Sequence, residues 1–297
     1  TVYCHAWGSE ALMEGNRVIG VTFQSKEGRK AILAGKVIDC TGDGDIFASA
    51  GCAYEKEYSG DDRSYNVSVV FRLGNVDSEE FRNWKYDPNS HYRDKLAEYK
   101  KLFGYRISPF VTPMKDIMWV NNFVEGKDCC NVQDLTDTEM LIRRSLNEGI
   151  EWIRENVPGF KNAFLHDTAP QLGTRGSRRL NGTYRLTMDD IAQTIEHEDT
   201  IAIIPAHRRM KYKSPIELPY GVMLPADDVE DLLAAGRCFS SAHDANDHAN
   251  LIPHCVALGE AAGAAAALAL QSNTTFRDVD VKKVQQTLKK QGVYLPR

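Results

Sequence analysis

The sequence predicts an α+β fold in which one domain of parallel α/β type is interrupted by a second, inserted domain. A short apolar run at residues 36–40 ends in a glycine turn and a helix-like segment. A second apolar run at 231–235 ends in a glycine and is followed by a long helical stretch. In α/β proteins, such strand ends are where ligand sites are built. From about residue 55 to 215 the chain changes to longer polar loops and mixed elements.

Bulk composition excludes several classes of protein. The 297 residues carry a net charge of −5 and have a pI near 5.9, which argues against a general nucleic-acid binder or a polybasic membrane binder. We find no apolar run of about 18 residues, and the alanine-rich helix near the C-terminus is expected to be too short to cross a bilayer. The chain is therefore expected to be soluble.

The cysteines indicate a reducing compartment, so we expect a cytoplasmic protein. There are seven, an odd number, and no two are spaced C-x-x-C. Neither a disulfide framework nor a zinc site is indicated. Cys129 and Cys130 are adjacent, which leaves a redox pair open as the alternative to two ordinary thiols.

The first 35 residues predict an antiparallel meander. Strand-like runs alternate with the turn signals at 14–16 and 26–29. Residues 1–7 are themselves predicted to form a strand. The meander leads directly into the apolar run at 36–40.

The late stretch predicts a ligand-binding helix start. Gly236 lets a backbone approach a ligand without a Cβ in the way. Pro253 suits the first turn of a helix that should begin near residues 252–254, where free N–H groups and the helix dipole favour an anionic or electron-rich group. Gly259 and Gly263 lie four apart among alanines, so the helix can also pack closely as an ordinary buried core helix, which is the alternative.

A third segment makes the pattern specific. Residues 172–187 read LGTRGSRRLNGTYRLT, the strand at 36–40 ends in CTGDGD, and the late strand ends in AGR before a Gly/Ala helix. Together these segments resemble the FAD-dependent oxidoreductases related to the succinate dehydrogenase and fumarate reductase flavoproteins, including their G-x-R-x-x-R-R-x-x-G-x-Y-x-L-T signature. The three matches occur in the same order over residues 36–270.

The resemblance implies an α/β flavoprotein with a partial Rossmann-like FAD-binding domain. That domain would comprise residues 1–54 and 216–297, with a substrate or cap domain at 55–215 between them. FAD would be the cofactor, and hydride would pass between flavin N5 and a small organic substrate. The residues expected to contact FAD are Thr41, Gly42, Asp43, Gly44, Gly236, Arg237, Pro253, His254 and Cys255.

Four residues are the candidates for catalysis: Arg175, Arg178, His243 and His248. An arginine fork binds carboxylates and can balance the charge of a reduced flavin, although Arg178 could instead pair structurally. An imidazole titrates near neutrality and can pass a proton while hydride moves. A metal site on the histidines is disfavoured because their spacing lies across a predicted loop. Asn250 stands where many family members appear to carry arginine, which weakens any transfer of a dicarboxylate site.

No G-x-G-x-x-G turn is found for the FAD pyrophosphate. Either the chain is the later part of a longer protein, or another chain supplies that unit. The alternative function is therefore a non-catalytic subunit or fragment that completes a flavoprotein with a second chain.

Overall fold

The computed structural model describes residues 1–56, 67–205 and 215–296. The chain forms two compact units, Thr1–Glu57 with Gly176–Arg297, and Tyr58–Arg175. The second unit is thus an insertion into the first in chain order. Residues 176–205 and residue 215, assigned above to the substrate domain, belong to the first unit.

The first unit opens with the predicted meander. Strands β1 (Trp7–Glu14), β2 (Arg17–Ser25) and β3 (Gly28–Leu33) form an antiparallel sheet in the order β1-β2-β3, which confirms that prediction. The predicted strand at residues 1–7 is wrong, because β1 begins at Trp7 and His5 adopts a left-handed backbone (φ 55°) that breaks an extended run.

A two-stranded parallel sheet forms the centre of the first unit. Strands β4 (Val37–Asp39) and β15 (Leu232–Ala234) pair in parallel, although almost 200 residues separate them in sequence. Asp231, just before β15, is buried and binds Lys36, just before β4, at 2.5 Å. Because both strands start level and run in parallel, their carboxyl ends meet at one edge of the sheet.

The remaining elements of the first unit pack around this pair. They are helices α1 (Asp45–Ser49), α5 (Met188–Gln193), α6 (His243–Ala249), α7 (Ile252–Ser272) and α8 (Val281–Lys290), strands β5 (Tyr54–Glu55), β12 (Arg179–Leu180), β13 (Thr200–Ile204) and β14 (Ile216–Pro219), and a 3-10 turn at Tyr220–Val222. The helix α7 begins where its proline predicted. The larger core of this unit includes Leu218, Leu233, Phe239 and Leu258, all fully buried.

Helix α7 is longer than the sequence suggested. With 21 residues, it is the one helix in the described part of the chain that could cross a membrane by length and composition, so the prediction that it is too short is wrong. Seven of its residues, among them Leu258, Ala262 and Ala265, are buried in the core of the first unit. One face of α7 thus packs in this core, and a core helix passes the same test of length and composition.

The second unit is an antiparallel sheet packed on helices. Its elements are β6 (Val67–Ser68), β7 (Phe71–Gly74), β8 (Arg106–Val111), β9 (Met118–Phe123), β10 (Phe164–Thr168), β11 (Gly173–Thr174), α2 (Ser78–Tyr86), α3 (Tyr92–Phe103) and α4 (Val132–Asn156). Four strands pair in the order β10-β7-β9-β8. Their inward residues, including Phe71, Leu73 and Met118, form a separate core with the buried face of α4.

Candidate functional site

The turn after β4 is organised by Asp39, which is fully buried. One carboxylate oxygen accepts hydrogen bonds from the backbone N–H and the hydroxyl of Thr41, at 2.9 and 2.7 Å. The other accepts from the N–H groups of Ile46 and Phe47, at 3.0 and 2.9 Å. These donors lie at the start of α1, where the helix has no acceptors of its own. Asp39 therefore fixes the whole turn and the helix that follows it.

Arg237 joins the two strand ends. Its guanidinium lies 2.7 Å from the carboxylate of Asp43, and it passes so close to Gly42 that a Cβ there would lie 2.2 Å from a guanidinium nitrogen. The hydroxyl of Ser177 donates to the other oxygen of Asp43 at 2.6 Å. The predicted residues of the early and late stretches are thus in direct contact at the sheet edge.

One arginine of the 172–187 segment, Arg178, binds this turn directly, and Arg179 binds the segment before α6. Arg178 donates to the backbone carbonyl of Asp43 at 2.7 Å, binds the carboxylate of Asp45, and lies 5.8 Å above the ring of Tyr54. Arg179 is buried and donates to the carbonyl of Ser241 at 3.0 Å. The structural use that the sequence left open for Arg178 is therefore present at the candidate site.

Arg175 belongs to the second unit, whereas all the other predicted site residues belong to the first. It follows β11 and is half-buried.

The two candidate histidines lie on a helix and not in a loop. His243 is the first residue of α6 and His248 lies in its last turn, and both are half-buried. The helix was missed because its seven residues, mostly polar, show no apolar repeat. In the described parts of the chain, no three His, Cys, Asp or Glu side chains converge as a metal site would require.

The first turn of α7 offers fewer free donors than expected. The N–H groups of His254 and Cys255 both donate to the carbonyl of Leu251, at 2.9 and 3.0 Å, and Pro253 has none to offer. The expectation of several free N–H groups is therefore wrong, while the positive end of the helix dipole remains. Pro253 is exposed and Cys255 is half-buried.

The imidazole of His254 faces the protein interior and is 7% exposed. Its Nδ1 atom is buried without a hydrogen-bond partner among the described residues. Burial lowers the pKa of this imidazole, and a hydrogen bond with the backbone of Ala249 offsets part of that effect. His254 is therefore neutral at pH 7.

The free energy of unfolding should depend on pH through His254. Because its pKa in the folded protein lies below the ordinary value of about 6.5, the unfolded chain binds the proton more readily, and stability is lost as pH falls below that value. The folded protein should therefore become less stable between pH 7.5 and 5.5. Urea denaturation of a His254→Leu variant should show a smaller loss over this range. His91→Leu, a change at an exposed histidine, should follow the wild type, and parallel curves for all three proteins would contradict this role.

Several residues of the site escaped the sequence analysis. They are Asp39, Ser177 and Asn246. The position of Asp39 at the end of an apolar strand was a usable signal, because a carboxylate there must find donors when it is buried. Ser177 and Asn246 carried no such signal, since only the tertiary contacts give them partners.

Comparison with known proteins now identifies the class. The family model described as FAD dependent oxidoreductase matches residues 1–288, so the chain belongs to this family. FAD is its cofactor. The family relationship predicted from the three sequence segments is confirmed at this level. No curated protein sequence gives a significant match.

Solved structures of other flavin enzymes share only a distant similarity with this chain. A triple mutant of the flavin-dependent brominase Bmp2 aligns with a TM-score of 0.42 at 11% identity, over 96% of this chain and 55% of that one. The myxobacterial FAD-dependent chondrochloren halogenase CndH aligns with a TM-score of 0.39 at 12% identity, over 96% and 50%. The chain thus spans about half the length of these proteins.

Proposed function

We propose that FAD binds at the edge formed by the carboxyl ends of β4 and β15, and that the protein is an oxidoreductase of small organic molecules. The observation that carries this proposal is the parallel pairing of the two strands, supported by the contact between Arg237 and Asp43. Both glycine turns, 41–44 and 236–237, consequently lie at one edge, which is where ligands bind in open α/β sheets.

The residues at this edge suit a flavin cofactor. Gly236 has φ 92°, and among the described residues no atom lies within 4 Å of the place where a Cβ would be. The space beside it is therefore open to a ligand. Thr41 to Gly44, Arg237 and the first turn of α7 at Pro253 would hold FAD, together with Cys255. His254, whose ring faces the core, would act by supporting this turn.

When bound, FAD supplies hydride transfer at N5, and the protein supplies the groups around it. His243 or His248 would hold or deliver the accompanying proton, and Arg175 would bind an anionic group of the substrate. This assignment of Arg175 requires that Arg175→Ala slows turnover while flavin content stays constant. A relation to the succinate dehydrogenase and fumarate reductase flavoproteins, and a cytoplasmic location, belong to the same proposal. The seven cysteines, all free thiols, support a reducing compartment.

Replacing Gly236 with valine should block FAD binding. The side chain would occupy the open space beside the strand end, so we expect the Kd for FAD to rise at least 10-fold. The measurement is a titration of the apo protein with FAD, followed by the quenching of flavin fluorescence.

The matched control is Gly28→Val. Gly28, in the turn between β2 and β3, has φ 98° and is equally open, so the backbone strain of the two variants is comparable. Gly28→Val should bind FAD as the wild type does. Equal Kd values for Gly236→Val and the wild type would place the flavin elsewhere.

A second candidate is a non-catalytic chain that completes a flavoprotein with another polypeptide carrying the G-x-G-x-x-G unit. The sheet of β4 and β15 favours it, because among the described residues this sheet has two strands, whereas parallel sheets are usually larger and covered. A native mass spectrum that shows a second polypeptide would support this candidate, and a monomer that binds FAD alone would exclude it.

A further inference from the structure

Asn246 is the buried centre of a small amide network on α6. It is 1% exposed, and its Nδ2 atom donates to the backbone carbonyl of Arg237 at 3.0 Å and to the hydroxyl oxygen of Ser241 at 2.9 Å. The first of these bonds fixes the position of the Arg237 carbonyl and thereby the Gly236–Arg237 turn. The second ties the same amide to the chain that leads into α6.

Asn250 continues the network towards α7. Its Nδ2 atom donates to Oδ1 of Asn246 at 2.8 Å, and its own backbone carbonyl accepts from the thiol of Cys255 at 3.4 Å. Asn250 ends α6, and Cys255 lies in the first turn of α7. One chain of polar contacts therefore runs from the Arg237 carbonyl through two amides to the start of α7.

We propose that Asn246 and Asn250 form a positioning relay that sets the geometry between the Gly236–Arg237 turn and the first turn of α7, and thereby the affinity and electronic environment of the flavin. The proposal rests on the FAD site described above. Neither asparagine needs to touch the cofactor, because each acts through backbone that would.

The chemistry of an amide is needed for this relay. Asn246 donates through Nδ2 and accepts through Oδ1 at the same time, and a carboxylate of the same shape cannot donate to the Arg237 carbonyl. A buried amide whose bonds are all satisfied fixes one arrangement, since every alternative leaves a polar group without a partner. Asn250 links Asn246 to the first turn of α7 through its side-chain amide and its backbone carbonyl.

Two variants test the relay, Asn246→Asp and Asn250→Ala. Each keeps the flavin-facing backbone. Asn246→Asp removes both bonds that Nδ2 of Asn246 donates, and Asn250→Ala removes the bond donated to Oδ1 of Asn246. We expect at least a 10-fold rise in the FAD Kd, equivalent to about 1.4 kcal/mol, and a shift of the visible absorption bands of the bound flavin. The readouts are fluorescence titration with FAD, the absorption spectrum of the complex, and the melting temperature of the apo protein.

The control is Asn16→Ala. Asn16 also donates its side-chain amide to a backbone carbonyl, that of Asp228 at 2.7 Å, in an exposed turn. This variant should keep the wild-type Kd and spectrum. If Asn246→Asp does not fold, Asn250→Ala decides the question, because Asn250 is only half-buried.

A wild-type Kd and spectrum in a folded variant would overturn the relay, even if its melting temperature falls, since that pattern describes a purely structural asparagine. If the wild type itself does not bind FAD, the proposed function fails, and the relay fails with it. Binding by the wild type together with unchanged variants overturns the relay alone.

Discussion

Replacing Gly44 with alanine is expected to lower the free energy of unfolding by about 2–4 kcal/mol. Gly44 precedes α1 with φ 68°, a left-handed conformation that disfavours a Cβ. A Cβ there would also lie 2.0 Å from the ring of Phe47, which is fully buried and cannot move aside. Urea denaturation of the apo protein measures the loss. The same change should weaken FAD binding, because the turn would have to rearrange.

Gly15→Ala separates the cost of the left-handed backbone from the cost of the clash with the Phe47 ring. Gly15 has φ 62° in the turn between β1 and β2, and no atom lies within 4 Å of its absent Cβ. Gly15→Ala should therefore lower the free energy of unfolding only by the cost of the left-handed backbone, about 1–2 kcal/mol. If Gly15→Ala and Gly44→Ala lose the same amount, the packing of Phe47 against the turn is not as described.

Asp39→Asn should cost about 3 kcal/mol and abolish FAD binding at micromolar concentrations. The two carboxylate oxygens of Asp39 each accept two hydrogen bonds, so an amide NH₂ in place of either oxygen would face two donors. The turn at residues 41–44 would lose hydrogen bonds that hold it to Asp39. Denaturation with urea and titration with FAD measure the two effects.

Asp77→Asn is the matched control. Asp77 precedes α2 in the second unit and accepts from the N–H groups of Glu79 and Glu80 with one oxygen only. An asparagine can do the same, since it is an equally good residue at this position of a helix. Asp77→Asn should be nearly neutral. A comparably small effect of Asp39→Asn would refute the anchoring role.

The sequence predicted those parts of the fold that have a local cause. Pro253 located the start of α7. The two strand–glycine–helix stretches also form where expected. Their direct pairing as parallel strands needed the three-dimensional structure, because nothing local links residue 37 to residue 232.

The start of one helix differs from the position that its capping signal indicates. Thr136 and Glu139 resemble the start of a helix, yet α4 begins at Val132, because the side chain of Asn131 accepts from the first free N–H groups. Thr136 instead donates to the carbonyl of Val132 inside the helix. When two capping signals compete, the long apolar face of α4 extends the helix to the earlier one.

At the candidate site, too, the sequence identified some residues, and others were found only in the three-dimensional structure. The glycines and Arg237 were identified because their residue types and order are distinctive. The partners that hold them, Asp39, Ser177 and Asn246, were not, since their roles come from contacts across the fold. Arg178 was identified as a candidate because of its charge. In the structure its guanidinium binds the carbonyl of Asp43 and the carboxylate of Asp45.

The measurement that tests the central claim most directly is a titration of the purified apo protein with FAD, combined with the visible absorption spectrum and an intact-mass spectrum of the same sample. The account predicts saturable binding of one FAD per chain of this mass, with flavin bands that Gly236→Val removes and Gly28→Val retains. A protein of this mass that is colourless once unbound FAD has been removed, or protein-bound flavin bands that Gly236→Val leaves unchanged, would contradict it.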